Sequence, residues 1–237
     1  MIPKIIHYCW LSNDPVPKRL QQCMRTWNIK LPDYEIMLWD LNRFDISTSV
    51  WVKEAFENKK YAFAADYIRL YAVYHYGGIY LDMDVEVVKS FSDLLEGKTI
   101  LGWEKAKGLE AGIFGGEKGA EWLKECLDYY KDRHFILPDG GFDMKILPYI
   151  MYDVLYDKYI KTEKFRVYNN EYFTAKSYET LEINKTKNTY SIHHFAGSWL
   201  PANVLSFRER FKRECYKRIG YKNTNRLIMI LRYLRKK

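Results

Sequence analysis

From Lys4 to Trp10 the residues are almost all apolar with little alternation, the pattern of a strand buried on both faces in the middle of a sheet. A polar turn, Leu11-Ser12-Asn13-Asp14-Pro15, ends the run, and helical spacing takes over from about Pro17 to Trp27. A second strand covers Tyr34 to Asp40, and a helix around Val50 to Asn58 leads into a longer one, Tyr61 to Tyr76, whose nearly continuous apolar content predicts burial. Gly77-Gly78 caps it and turns the chain into Ile79–Glu86, where Leu81, Met83 and Val85 alternate with Asp82, Asp84 and Glu86. Thr99–Trp103 and Ala111–Gly115 read as further strands. Gly119–Lys131 reads as a helix with Trp122, Cys126, Tyr129 and Tyr130 inward. Met144–Tyr159 is another helix, which Pro148 starts or kinks, after a turn-rich loop at Asp139–Asp143 suited to covering an acceptor. Strand, loop, helix at the start predicts an α/β nucleotide-binding unit. Ligands in such sheets lie outside the carboxyl ends of the strands, which places His7, Trp10 and Ser12 near a nucleotide. Trp10 either stacks on a base or packs under the sheet.

Composition narrows the class. At 237 residues, 48% hydrophobic and 29% charged, the chain suits one ordered domain with a small appendage. The 17% aromatic content suits a site that stacks flat rings, although cores absorb most aromatics. The net charge of +8 is uneven: from Arg208 onward there are 12 Lys and Arg against 2 Asp and Glu, leaving 26 against 28 before it. A nucleic-acid patch is therefore not a property of the main body. Cys9, Cys23, Cys126 and Cys215 form no Cys-x-x-Cys pair, so no zinc knuckle or redox motif is indicated and a reducing compartment is expected. There is no signal-peptide pattern at Met1–His7 and no run of about 18 apolar residues to span a bilayer.

The candidate chemistry is concentrated at Asp82 and Asp84. On an extended strand these carboxylates share a face, and like charges held close raise each other's pKa unless a cation offsets them. Hard oxygen ligands favour Mg or Mn, often shared with substrate phosphates. The plain alternative is a solvated edge strand. In the preceding helix Asp66, Arg69, Leu70 and Val73 fall at i, i+3, i+4 and i+7, so a charged pair lies on a stripe that faces protein. It forms either a structural ion pair or a device by which Arg69 reaches the carboxylates or a substrate hydroxyl.

Ala65-Asp66-Tyr67-Ile68-Arg69 through Tyr76-Gly77-Gly78-Ile79-Tyr80-Leu81-Asp82-Met83-Asp84 resembles the signature of the DXD-containing sugar-transferase family. That family includes yeast outer-chain mannosyltransferases and bacterial capsular-polysaccharide glycosyltransferases, and the catalytic core of the glucosylating clostridial toxins is similar. The likeness extends more weakly over residues 2 to 200. It implies a GT-A-type, Rossmann-like α/β domain and a nucleotide-diphosphate sugar as donor. An aromatic at the Trp10 position lies against the base in such proteins. Family members often carry an asparagine near the strand that here reads Glu110-Ala111-Gly112, a departure that puts one sugar contact in question. Thr189-Tyr-Ser-Ile-His193-His194-Phe-Ala-Gly-Ser198-Trp199 is the second informative stretch. Imidazole beside carboxylates is a reasonable Mn ligand, and Ser198 and Trp199 suit closure over a diphosphate. His-x-x-Gly and Ser-Trp resemble late site motifs of related retaining transferases, and His194 rather than His193 is taken as the ligand.

The resulting expectation is a metal-dependent glycosyltransferase acting in polysaccharide biosynthesis on a glycan or lipid-linked glycan, with retention implied by the family alone. Asp82, Asp84 and His194 hold Mn or Mg, Asp66 and Arg69 grip the donor sugar, and His7, Trp10, Ser198 and Trp199 hold the nucleotide. A phosphatase using Asp82 as nucleophile is the alternative, and Val85-Glu86 does not suit it. Residues 1–204 form the catalytic domain and 205–237 a basic helical tail. In the tail Phe207, Phe211 and Cys215 recur at helical spacing, and Leu227, Ile230, Leu231 and Leu234 are flanked by Arg226, Arg232, Arg235 and Lys236. Such a helix either lies on an anionic membrane, which would make a cytoplasmic protein peripheral to the inner face, or packs on the domain.

Overall fold

The computed structural model describes residues 1–105, 108–178 and 180–196, with isolated residues between 215 and 228. Strand β1 (Ile5–Cys9) is followed by helix α1 (Lys18–Lys30), strand β2 (Glu35–Trp39), helices α2 (Val50–Glu57) and α3 (Tyr61–Tyr76), and strands β3 (Gly78–Leu81) and β4 (Val85–Val87). Then come β5 (Thr99–Lys105), β6 (Gly108–Leu109), β7 (Ile113–Gly116), α4 (Glu121–Asp128), α5 (Leu147–Leu155), β8 (Val167–Tyr168), α6 (Asn170–Phe173) and β9 (Ser191–His193). The fold class is the expected α/β.

β1 is central, as its unbroken apolar run requires. It pairs in parallel with β2 and β3, with His7 opposite Met37 on one side and Tyr80 on the other. The sheet continues β7, β5, β6 by antiparallel pairing, with β8 parallel to β5. Alternation along β1 sends Ile6 and Tyr8 toward α1 and its Trp27, and His7 and Cys9 toward α3. The first core layer joins α2, α3, α4 and α5 through residues such as Val52, Ile68, Cys126 and Ile150. The second packs Leu20 and Trp27 of α1 under Ile79, Leu81 and Val85.

α3 is apolar almost all round, and Ile68, Leu70 and Val73 are fully buried. Each such burial contributes about 1.5–3 kcal/mol relative to exposure, enough to carry two charged neighbours, Asp66 and Arg69, inward with them. The helix ends where the sequence predicts, at Gly77 (φ 69°) and Gly78 (φ 108°). A Cβ on Gly78 would lie 2.6 Å from the Ile5 carbonyl oxygen, so the close approach of β3 to β1 requires glycine there.

The expected single strand Ile79–Glu86 is broken. β3 stops at Leu81, and Asp82 to Val85 form a turn in which the Val85 N–H donates to the Asp82 carbonyl (2.9 Å). β4 then leaves the main sheet and pairs antiparallel with β9. α1 holds it there: the Trp27 indole N–H donates to the Val85 carbonyl (2.7 Å), and the Val87 N–H donates to the Thr26 hydroxyl (2.8 Å). The Pro148 expectation resolves as a start, since the proline lies in the first turn of α5.

Candidate functional site

Asp82 follows the last residue of β3, at the same sheet edge as the ends of β1 and β2. Its N–H donates to the Gly112 carbonyl (2.7 Å), and its carboxylate accepts from the Tyr80 hydroxyl (2.8 Å). Arg69 reaches this edge from α3. One guanidinium nitrogen lies 3.2 Å from Asp66, another 3.5 Å from Asp82, and the latter also donates to the Ala111 carbonyl (2.9 Å). The guanidinium carbon stands 4.8 Å from the centre of the Tyr80 ring. Arg69 is thus a bridge from buried Asp66 to the partly exposed Asp82, and the two readings offered by the sequence coincide in one side chain.

Charges at this depth persist only in compensated sets. Burial pushes the Asp66 carboxyl up to about 6 against the pull of Arg69. Burial also raises Asp82, although Arg69 opposes it and Asp84 reinforces it. Asp84 goes the other way: burial is outweighed by His193 and by a backbone hydrogen bond, holding it well below the usual carboxylate range. The Asp84 carboxylate lies 3.3 Å from His193 Nε2 and accepts from the Ala196 N–H (2.6 Å). His193 in turn is held far above its ordinary pKa by Glu110 and Asp84 despite burial.

Asp82, Asp84 and His193 each offer a ligand atom within 4.8 Å of the others. His193, not His194, is therefore the histidine at the carboxylates. The reason is strand alternation. His193 is the last residue of β9, paired with Val85, so its ring turns toward Asp84. His194 turns to the opposite side, where Nε2 meets Glu86 (2.9 Å). Glu86 likewise leaves the expected shared face, because the turn after β3 resets the alternation. Glu86 and His194 line a separate cavity of about 200 Å³ with Arg19, Gln22, Cys23 and Thr26.

The nucleotide residues fare unevenly. His7 is fully buried and belongs to the core, contrary to expectation. Its Nδ1 accepts from the Trp39 indole (3.1 Å), so Nε2 carries the proton donated to the Gly77 carbonyl (2.7 Å). The cause is the alternation of β1, which aims residue 7 at α3 rather than at the strand end. Ser12 is engaged in its own turn, donating to Asp14 (2.6 Å). Trp10 stands half-buried at the carboxyl end of β1, its indole N–H donating to the Asp14 carbonyl (3.0 Å). Trp10 also packs against the second core layer, and at the end of β2 an open cavity of about 430 Å³ is lined by Leu38, Asp40, Asn42 and Arg43. Ser198 and Trp199 lie outside the described residues.

Sequence reading missed Tyr80 and Thr174 and met Glu110 only as a departure from a family pattern. Glu110 is fully buried and lies 3.0 Å from His193 Nδ1. A lone carboxylate between Leu109 and Ala111, in an otherwise apolar segment, was the available signal.

Two carboxylates and an imidazole converging at the carboxyl edge of an α/β sheet, backed by a buried arginine, define the class of site. Residues 17–101 match the family described as glycosyltransferase sugar-binding region containing DXD motif. That stretch holds α3, the Gly77-Gly78 turn, Asp82 and Asp84, and it is similar to the sugar-binding region of the DXD glycosyltransferases. It is 30% identical over 130 residues to inositol phosphoceramide mannosyltransferase 3 of Schizosaccharomyces pombe, covering 53% of this chain and 36% of that protein. Mannosyl phosphorylinositol ceramide synthase SUR1 of Saccharomyces cerevisiae is 26% identical over 196 residues, covering 78% of this chain and 51% of its own. This chain therefore spans about half or less of the length of these curated relatives. Among solved structures, the PaToxG glycosyltransferase superposes with a TM-score of 0.49 and 20% identity over 66% of this chain and 70% of that one.

Proposed function

We propose that the protein is a metal-dependent glycosyltransferase that moves a sugar from a nucleotide-diphosphate sugar to a glycan or lipid-linked glycan acceptor, with retention of anomeric configuration, in polysaccharide or glycolipid synthesis. The observation that carries this reading is the Asp82–Asp84–His193 convergence, with Arg69 forming an ion pair to Asp82 at 3.5 Å. The donor set, two hard oxygens and one imidazole, fits Mn or Mg. Asp82, Asp84 and His193 would hold such a cation, whose chemistry would be to offset negative charge developing on the departing nucleotide. The chain's own residues supply position. Asp66 and Arg69 would grip the donor sugar and fix its anomeric carbon, and oriented binding of this kind removes much of an entropic barrier. Trp10 and the cavity at the end of β2 offer the nucleoside an aromatic face and polar partners at the edge where α/β sheets bind ligands. Ser198 and Trp199 would close over the diphosphate. No carboxylate is assigned as a covalent nucleophile.

The names of the yeast relatives favour a mannosyl donor and a phosphoinositol-bearing lipid acceptor. A lipid acceptor agrees with the basic tail, residues 205–237, acting as a peripheral anchor on the cytoplasmic face of a membrane beside the catalytic domain, residues 1–204. Thermal melting with a panel of UDP- and GDP-sugars, with and without Mn, tests the donor reading: one donor should raise the melting temperature only when Mn is present. Metal-independent shifts, or none with any donor, would refute it.

A further inference from the structure

Glu110 has no solvent exposure and accepts three hydrogen bonds. Its Oε1 takes the Gly112 N–H (2.7 Å) and lies 3.0 Å from His193 Nδ1; its Oε2 takes the Thr174 hydroxyl. Two of these donors come from elements that already frame the site. Gly112 also offers its carbonyl to the Asp82 N–H (2.7 Å), and Thr174 is bridged to Ile192 of β9. The approach is too close for a side chain at 112: a Cβ there would lie 2.7 Å from His193 Cε1 and 2.9 Å from both Nδ1 and Glu110 Oε1. A fully buried carboxylate, a glycine that makes room and a threonine aimed at the second oxygen constitute a built support with one outlet, the imidazole.

We propose that Glu110 is the positioning residue that makes His193 a metal ligand, a reading that rests on the metal-dependent function above. Because Glu110 is an acceptor, Nδ1 is the nitrogen that carries a proton toward it. Nε2 is then the nitrogen that faces Asp84 (3.3 Å) and Asp82 (4.0 Å), where a cation would be held. Carboxylate–histidine–metal arrangements of this kind fix both tautomer and ring orientation and raise ligand basicity. The Gly112 amide ties the support to the backbone that also holds Asp82, so the three ligands are set by one hydrogen-bonded frame.

The test is manganese binding by the full-length chain, with no donor present, followed by electron paramagnetic resonance. Glu110→Gln keeps the shape and loses the charge, and it should raise the Mn dissociation constant roughly 10- to 100-fold. Thr174→Val leaves the carboxylate but frees one oxygen and should weaken binding by a smaller factor. Independently, nitrogen-15 spectra of the wild type with diamagnetic Mg should show His193 protonated on Nδ1 and bare on Nε2. If the wild type binds Mn and Glu110→Gln, folded by its melting curve, binds it equally well, Glu110 has no positioning role. A proton on Nε2 in the Mg-loaded wild type overturns the proposal even if the variants do not fold. A wild type that binds no Mn at all overturns both this inference and the functional reading beneath it.

Discussion

His193 and His194 are adjacent in sequence and face opposite surroundings, which makes them a matched pair for substitution. His193→Ala should abolish Mn-dependent stabilisation by a nucleotide sugar. It also leaves Asp84 and Glu110 buried without their shared cation, a loss of about 3 kcal/mol in urea unfolding at neutral pH. His194→Ala removes the contact with Glu86, which lies away from Asp82 and Asp84, and should keep the Mn response within a few-fold. The reverse ranking of the two variants would restore His194 as the ligand. Asp84→Asn should also lose the metal response. From the sequence alone, removing one of two like charges is expected to spare the apo fold. The His193 and Ala196 contacts predict instead that Asp84→Asn lowers the melting temperature, because the depressed pKa of Asp84 is itself stabilisation. The carboxylates and Arg69 were legible because their types and spacing carry chemistry. Which histidine faces them was not, since that depends on the register of β9 against β4, a contact between residues more than 100 positions apart.

At the level of elements, α3, the Gly77-Gly78 turn and β3 form one unit whose order the sequence announces, while the break after Leu81 is set by partners elsewhere. Arg69→Ala tests the unit. Asp66 and Asp82 would lose their shared guanidinium in a buried setting, so apo stability should fall by about 3 kcal/mol along with donor binding. An unchanged melting temperature is incompatible with the buried bridge. The seam between β1 and α3 predicts a pH effect. Burial, the largest cause, lowers His7 from its ordinary 6.5 to about 4, although its hydrogen bond to Gly77 works against this. Between those values the unfolded chain binds a proton that the folded one does not, so the contribution of His7 is fully present at pH 7 and is lost as pH falls through 6.5 toward 4. Asp66, raised to about 6, acts in the opposite direction over an overlapping window, which is why the variant is informative and the bare profile is not. The stability difference between wild type and His7→Gln, measured by urea unfolding, should therefore shrink by about 3 kcal/mol between pH 7 and pH 4. A difference that stays constant across that range would mean His7 titrates normally.

For the molecule as a whole, the α/β class, the central position of β1 and the helix–turn–carboxylate order were all readable, because each rests on local periodicity or on glycine. The departure of β4 toward β9 and the support given by Glu110 were not, because both depend on long-range pairing. The tail poses a question of the same scale. Of its apolar and basic stripes only Cys215 and Arg226 fall among the described residues, and Arg226 is exposed. No helix among the described residues is long and apolar enough to cross a membrane. Each Lys or Arg near an anionic surface adds about 1 kcal/mol, and the excess of basic residues after Arg208 is large enough for several to act together. Full-length protein should therefore sediment with vesicles containing phosphatidylserine in low salt and stay in solution with neutral ones, since surface attraction is screened by salt. Replacing Arg226, Arg232, Arg235 and Lys236 by glutamate should release it without changing the Mn-dependent response to nucleotide sugar, because the site at the end of β3 is built from other parts of the chain. Equal sedimentation of the two proteins would assign the tail to packing on the catalytic domain instead.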